Sequence, residues 1–201
     1  MYHKCMVSSS PPLREKTRAV VRSLIAQTAM AAFAEKGYDQ TTVEEVAAAA
    51  GVSRRTLFNY FKSKEDLALS GLSEQGERIA ERFAASAADE DIWESLRAAF
   101  HVLEEIETTT ERRLEIVTLL FGSESLRAGH AEKQSRWQEL LAPQIEQRLP
   151  LSEHRLLEAR AIAAAAITCL QAATEEWSRL RGRVDLFDLY DAAVQAVRRA
   201  H

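Results

Sequence analysis

The chain has 201 residues, 46% of them apolar, with four prolines, seven glycines, two cysteines and a formal charge of −4. That length buries a sizeable core, in one domain or in a small domain fused to a larger one, while Cys5 and Cys169, far apart in sequence and in no metal-ligand spacing, read as free thiols of a reducing cytoplasm with no disulfide framework indicated. Alanine-rich runs, the lack of apolar/polar alternation and the absence of an apolar run of about 18 residues predict an all-α protein with no membrane span and no secretory leader.

The net negative charge is unevenly placed. Residues 1–64 carry ten Lys/Arg against five Asp/Glu, a net of +5, and residues 65–201 carry sixteen against twenty-five, a net of −9. Positive potential is thus confined to the N-terminal third, where a polyanion would be met.

In chain order, residues 1–13 form a polar, Ser-rich arm ending in Pro11 and Pro12, expected to be disordered, with Met6 as an alternative start. A first helix is expected over Leu13–Lys36, with Val20, Leu24, Ala29 and Phe33 among its apolar positions and Gly37 ending it. Its basic opening, Arg14, Lys16, Arg18 and Arg22, reads either as a solvated face or as a contact to phosphate or the minor groove.

Thr41 or Thr42 then caps a short helix, with Glu44 or Glu45 completing a capping box in either register. Val43, Val46, Ala47 and Ala50 recur at helical spacing, Gly51 stops the helix, Val52 fills the turn, and Ser53 caps a second helix running through Arg54, Arg55 and Thr56 to Tyr60. Leu57 and Phe61 fall together toward a core, Arg55 and Asn59 fall opposite, and Arg54 lies on the flank at the tip. Helix, Gly-containing turn and helix with basic residues in its first turn is the plan of a helix-turn-helix, whose second helix enters the DNA major groove. Paired arginines there suit bidentate contacts to guanine O6 and N7.

The spacing Thr-Val-x-x-Val-Ala, Ala-Gly-Val-Ser and Thr-Leu-Phe-x-Tyr-Phe-x-Ser-Lys-x-x-Leu resembles the DNA-binding domain of the TetR family of bacterial regulators, over roughly Lys16 to Leu69. The resemblance implies a three-helix DNA-binding domain over residues 14–63 and a larger helical domain for ligand binding and dimerisation over residues 64–201, about nine helices in all. It places Arg54, Arg55 and Phe58 at base-contacting positions and Thr42, Thr56, Asn59, Tyr60 and Lys64 at phosphate-contacting ones. Phe58 stands where tyrosine is common, so it packs on a thymine methyl or a sugar without a hydrogen bond; Glu44 puts an acid near the groove, or else serves capping and the helix dipole.

A fourth helix is expected from Lys64 to about Ala85, capped by Ser63 and long enough to carry movement over about 30 Å. Further helices follow over 92–107, 111–121 and about 125–149, the last with a kink at Pro143, then a long one capped by Ser152 and reaching Arg181, and a final one from Leu186. Trp93, Phe100, His101, Phe121, Trp137 and Cys169 are large or polarisable groups on helices expected to converge, where they line a pocket or pack the core. The resemblance implies a small-molecule effector there, hydrophobic or an acyl thioester, that displaces the fourth helix and releases DNA. It also implies a homodimer built by the last two helices, through Leu156, Ala163, Ala166, Leu170, Ala173, Trp177, Leu189, Tyr190 and Val197, with monomer core as the alternative for the same stripes.

An enzyme is not expected. His3, His101, His130, His154 and His201 show no metal spacing, and neither a Gly-rich phosphate loop nor a nucleophile elbow is present, so no catalytic residue, metal or cofactor is assigned. The sequence reads as a cytoplasmic, sequence-specific DNA-binding regulator, a repressor acting as a homodimer on a palindromic operator. A helical adaptor and a transcriptional activator are the alternatives.

Overall fold

The computed structural model describes residues 13–106 and 109–199, and every regular element among them is an α-helix. The N-terminal arm over residues 1–12, with His3, Cys5 and Met6, lies outside the described residues, as do residues 107–108, His201 and the side chain of Lys16.

Helices α1 (Leu13–Lys36), α2 (Val43–Ala49), α3 (Arg54–Phe58) and α4 (Lys64–Ala68) form the N-terminal head around Ile25, Ala29, Phe33, Val46, Leu57, Phe61 and Leu67, all buried. Val20 and Leu24, apolar positions of α1, are exposed instead. Gly37 ends α1 at φ +87°, a left-handed geometry that costs glycine least. Of the two capping registers, Thr42 with Glu45 is the one formed: the Thr42 hydroxyl accepts from the Glu45 amide at 3.2 Å and the Thr42 amide donates to Glu45 Oε2 at 2.8 Å. Thr41 is buried, with its hydroxyl donating to the Gly37 carbonyl at 2.8 Å.

The larger unit contains α5 (Ser70–Ala85), α6 (Ile92–Phe100), α7 (Val102–Ile106), α8 (Thr110–Gly122), α9 (Glu124–Arg148), α10 (Arg155–Arg179) and α11 (Leu186–Arg199). The expected fourth helix is interrupted at Leu69, which has φ −95° and ψ 4°, so α4 and α5 are separate segments. Leu69 is buried against Gly129 of α9, where a Cβ would overlap its side chain, a tertiary contact that local pattern does not reveal. The helix over 92–107 is likewise divided at His101; joining both pairs returns the nine expected helices among the described residues. Pro143 lies within α9, which continues past it to Arg148. Ser152 does not cap α10, which begins at Arg155; its hydroxyl donates to Glu158 Oε1 at 2.9 Å.

α9 packs along α10, α10 along α11, and α5 against α9, with α8 laid across α9 and α10 and also touching α1 of the head. α10 contains an 18-residue window of mean hydropathy 1.4, long and apolar enough by length and composition to cross a membrane, where the sequence pattern had suggested none. Packing accounts for part of that composition: 39% of the window is buried, with Ala159, Ala163, Ala166, Ile167 and Leu170 among the buried residues of α10.

This placement corrects the expected dimer stripe. Ala163, Ala166, Leu170, Ala173, Trp177 and Tyr190 are buried within the single chain, where α8, α9 and α11 pack on α10. Leu156 and Val197 are exposed and Leu189 is half-buried. Exposed small and apolar positions of α10 are Leu157, Ala161, Thr168 and Ala172, and Ala192 and Ala196 of α11 are exposed as well.

Candidate nucleic-acid interface and effector cavity

The head is shaped to present the tip of α3. Gly51, at φ +68°, turns the chain, the Val52 amide returns to the Ala47 carbonyl at 2.9 Å, and Ser53 caps α3 by accepting from the Thr56 amide at 3.0 Å. Leu57 and Phe61 anchor the helix below, so Arg54, Arg55, Phe58 and Asn59 face outward.

Arg54 and Arg55 differ in their surroundings. Arg54 Nε lies 3.0 Å from Glu44 Oε1 and its guanidinium stands 5.5 Å from the Phe58 ring centre. Glu44 is therefore a partner of Arg54 rather than the capping acid, a part taken by Glu45. The closest approach is through Nε, and Arg54 stays exposed at the tip of α3. Arg55 is exposed, with no side-chain partner among the described residues.

The candidate phosphate contacts are less uniform. The Thr42 hydroxyl and amide are both engaged by Glu45, and the Thr56 hydroxyl is 2.8 Å from Ser53 Oγ, so both groups already serve caps. Asn59 has an exposed side chain, but its carbonyl accepts from Arg18 Nη2 at 3.1 Å. Tyr60 is half-buried with the Arg18 guanidinium 5.2 Å from its ring centre, and the Lys64 ammonium sits 4.2 Å from the centre of the Tyr38 ring. Arg22 lies over Phe61 at 4.9 Å. Arg18 and Arg22 thus tie α1 to the end of α3, a role that their basic run did not disclose. Lys36 pairs with Glu45 at 2.7 Å, and this bond, with the Thr42 amide, pulls the Glu45 carboxyl down to about 2.

A second feature lies in the larger unit. A cavity of about 130 Å³ opens among α5, α8, α9 and α10, walled by Ile116, Val117, Leu120, Phe121, Trp137 and Trp177. Of the residues expected to line a pocket, Phe121 and Trp137 do so. Trp93, Phe100, His101 and Cys169 do not; α6 packs on α5 and its side chains reach α11, where Arg97 donates from Nε to both carboxylate oxygens of Asp191 at 2.9 Å. Phe100 meets Tyr190 edge-on at 5.5 Å, His101 stacks on Phe187 at 3.8 Å and bonds Glu104 at 3.0 Å, Cys169 is buried, and Trp93 is half-buried on α6.

The cavity also contains polar groups that the sequence reading passed over. His130 and Gln134 are 8% and 6% exposed and both line it. Burial pushes the His130 imidazole below its usual range, with Glu175 opposing, and Phe121 meets the ring edge-on at 5.4 Å. The available signal was the spacing Leu126, His130, Gln134, Trp137, Leu141, one helical face inside a segment whose many charges suggest solvent. Among the described residues, no cluster of His, Cys, Asp or Glu has the make-up of a metal site.

A basic helix-turn-helix head joined to a helical unit with an apolar cavity defines a two-domain DNA-binding regulator. Residues 25–70 match the model for bacterial regulatory proteins of the TetR family, and residues 90–201 match the MftR C-terminal domain. The chain belongs to the TetR family and is a transcriptional regulator, not an enzyme. It is 32% identical over 95 residues to the HTH-type transcriptional regulator TcmR of Streptomyces glaucescens, a match covering 47% of this chain and 42% of TcmR, so less than half of that relative is spanned. NalD of Pseudomonas aeruginosa, the secondary repressor of the MexAB-OprM multidrug efflux pump, superposes with a TM-score of 0.58 at 23% identity, over 92% of this chain and 96% of NalD. FadR of Thermus thermophilus, a transcriptional repressor solved with lauroyl-CoA, gives a TM-score of 0.52 at 26% identity, over 87% of this chain and 91% of FadR.

Proposed function

We propose that the chain is a ligand-released repressor that binds a palindromic operator in the cytoplasm as a homodimer. The observation that carries this reading is the double role of α8. Ile116, Val117 and Leu120 form a wall of the cavity, while Leu114, Thr118 and Leu119 of the same helix border a cleft against Phe33, Ala34 and Gly37 of the head. A guest that displaces α8 changes the seat of α1, and with it the position of α3. This route supplements the fourth helix, which is broken at Leu69 and is therefore a poor single lever.

The exposed alanine-rich line of α10 and α11 is the surface for the second copy, because small residues let helices approach closely. Two heads held at a fixed separation then meet successive major grooves about 34 Å apart. An effector that favours the incompetent separation weakens DNA binding, and DNA weakens effector binding by the same factor. The repressors NalD and FadR support the direction of control, and the lauroyl-CoA of FadR supports an apolar effector. Here a compact hydrophobic molecule suits the cavity better than an acyl thioester, since a cavity of about 150 Å³ takes a single benzene ring.

The test is a reporter fused to DNA flanking the chain's own gene. Expression of the wild type is expected to lower output and Arg55→Ala to restore it; a rise in output would identify an activator, and no change would point to a helical adaptor.

A further inference from the structure

The cavity wall contains two deeply buried polar side chains without a hydrogen bond among the described residues. His130 and Gln134 stand one turn apart on α9, both more than nine-tenths buried, and neither has a hydrogen-bond partner among the described residues. Gln75, half-buried on α5, also lines the cavity without a hydrogen bond among the described residues, whereas several other polar groups of the wall are engaged. Trp137 Nε1 donates to the Leu72 carbonyl at 2.8 Å, the Thr174 hydroxyl to the Leu170 carbonyl at 2.8 Å, and the Gln171 amide to Glu175 at 2.9 Å. Arg113 is paired with Glu104 at 2.6 Å, which offsets its charge and leaves its buried Nε as a further donor. The polar atoms of His130 and Gln134 keep access from the cavity, while Arg113 Nε is buried without a partner; polar groups so placed are available to a guest's hydrogen bonds.

The chemistry of that guest follows from the charges and the size. A neutral imidazole offers one donor and one acceptor, and a glutamine amide offers both as well. Among the described residues the one fixed positive charge of the wall, Arg113, is already matched by Glu104, and the nearby Glu175 is negative, so an anion would lose its hydration without gaining a counter-charge. Around the polar pair the wall is aliphatic and aromatic, and the volume is that of one ring.

We propose that the effector is a compact, uncharged molecule, apolar over most of its surface, whose hydroxyl, carbonyl or amide group is received by His130 and Gln134. This rests on the reading of the cavity as the effector site. It adds the chemical class, and it assigns specificity to two residues that carry no structural bond.

The full chain is titrated with three matched probes, toluene, benzyl alcohol and benzoate, by ligand-observed NMR and by tryptophan fluorescence. Benzyl alcohol is expected to bind about tenfold more tightly than toluene and at least about tenfold more tightly than benzoate. In Gln134→Leu and His130→Leu, benzyl alcohol falls to the level of toluene while toluene still binds; if either variant does not fold, the wild-type ranking decides. Benzoate binding as well as benzyl alcohol, or benzyl alcohol no better than toluene because the pair merely holds water, overturns the assignment and leaves the cavity as the effector site. Failure of all three to bind overturns the assignment and the effector reading together.

Discussion

Gly76 of α5 lies beneath the indole of Trp137 of α9, so close that a Cβ at position 76 would overlap the pyrrole edge of the ring. That edge carries Nε1, which donates to the Leu72 carbonyl one turn earlier on α5. The contact fixes a wall of the cavity. Gly76→Ala is expected to destabilise the fold by about 1–3 kcal/mol through overpacking and to shift tryptophan fluorescence. Urea denaturation checks it, and unchanged stability and emission would contradict the close approach.

Arg55 and Lys64 separate reading from holding. Arg55 is exposed at the tip of α3 with no partner among the described residues, whereas Lys64 is seated over Tyr38 at the start of α4. On an operator selected from random DNA, Arg55→Ala is expected to cost about 1–3 kcal/mol and relax one base position, and Lys64→Ala to weaken all sequences alike. Affinities over a set of mutated operators check this. Uniform losses for both variants would remove the distinction.

Glu45 links the α2 cap to pH. Its carboxyl is depressed from 4.5 to about 2, so its contribution is complete above about pH 4.5 and disappears as pH falls toward 2. Glu45→Gln is expected to be less stable than wild type near neutral pH, with the gap closing across that window. Denaturation midpoints measured over the window would show a constant gap if the Lys36 and Thr42 bonds did not matter.

The uncovered face of α10 predicts opposite outcomes for neighbouring alanines. Ala172→Glu adds charge to an exposed position and is expected to yield a folded monomer, whereas Ala163→Glu buries a charge within the protomer and is expected to unfold it. Sedimentation velocity with circular dichroism distinguishes the two. A folded dimer for Ala172→Glu would move the interface elsewhere.

The head was legible from sequence because its determinants are local: Thr42 and Ser53 caps, Gly51 in the turn, and Leu57 with Phe61 on one face. The larger unit was legible as helices but not as partners. Nothing in the spacing of Ala163, Ala166, Leu170 and Trp177 says whether α9 or a second copy covers them, since both would select the same small and apolar residues. The cavity was partly visible through Phe121 and Trp137, while His130 and Gln134 were hidden by the charged context of α9. Arg18 and Glu44 show a further limit: a charge run gives potential, but only the fold assigns each charge its partner, Asn59 and Tyr60 for one and Arg54 for the other.

The most direct test of sequence-specific recognition by α3 is fluorescence anisotropy on DNA flanking the chain's own gene, at several salt concentrations, with the wild type and an Arg54→Ala/Arg55→Ala double variant. Preference for one short sequence over scrambled DNA, weakening with salt and lost in the variant, is the expected result. Equal binding of specific and scrambled DNA, or a variant indistinguishable from wild type, would contradict it.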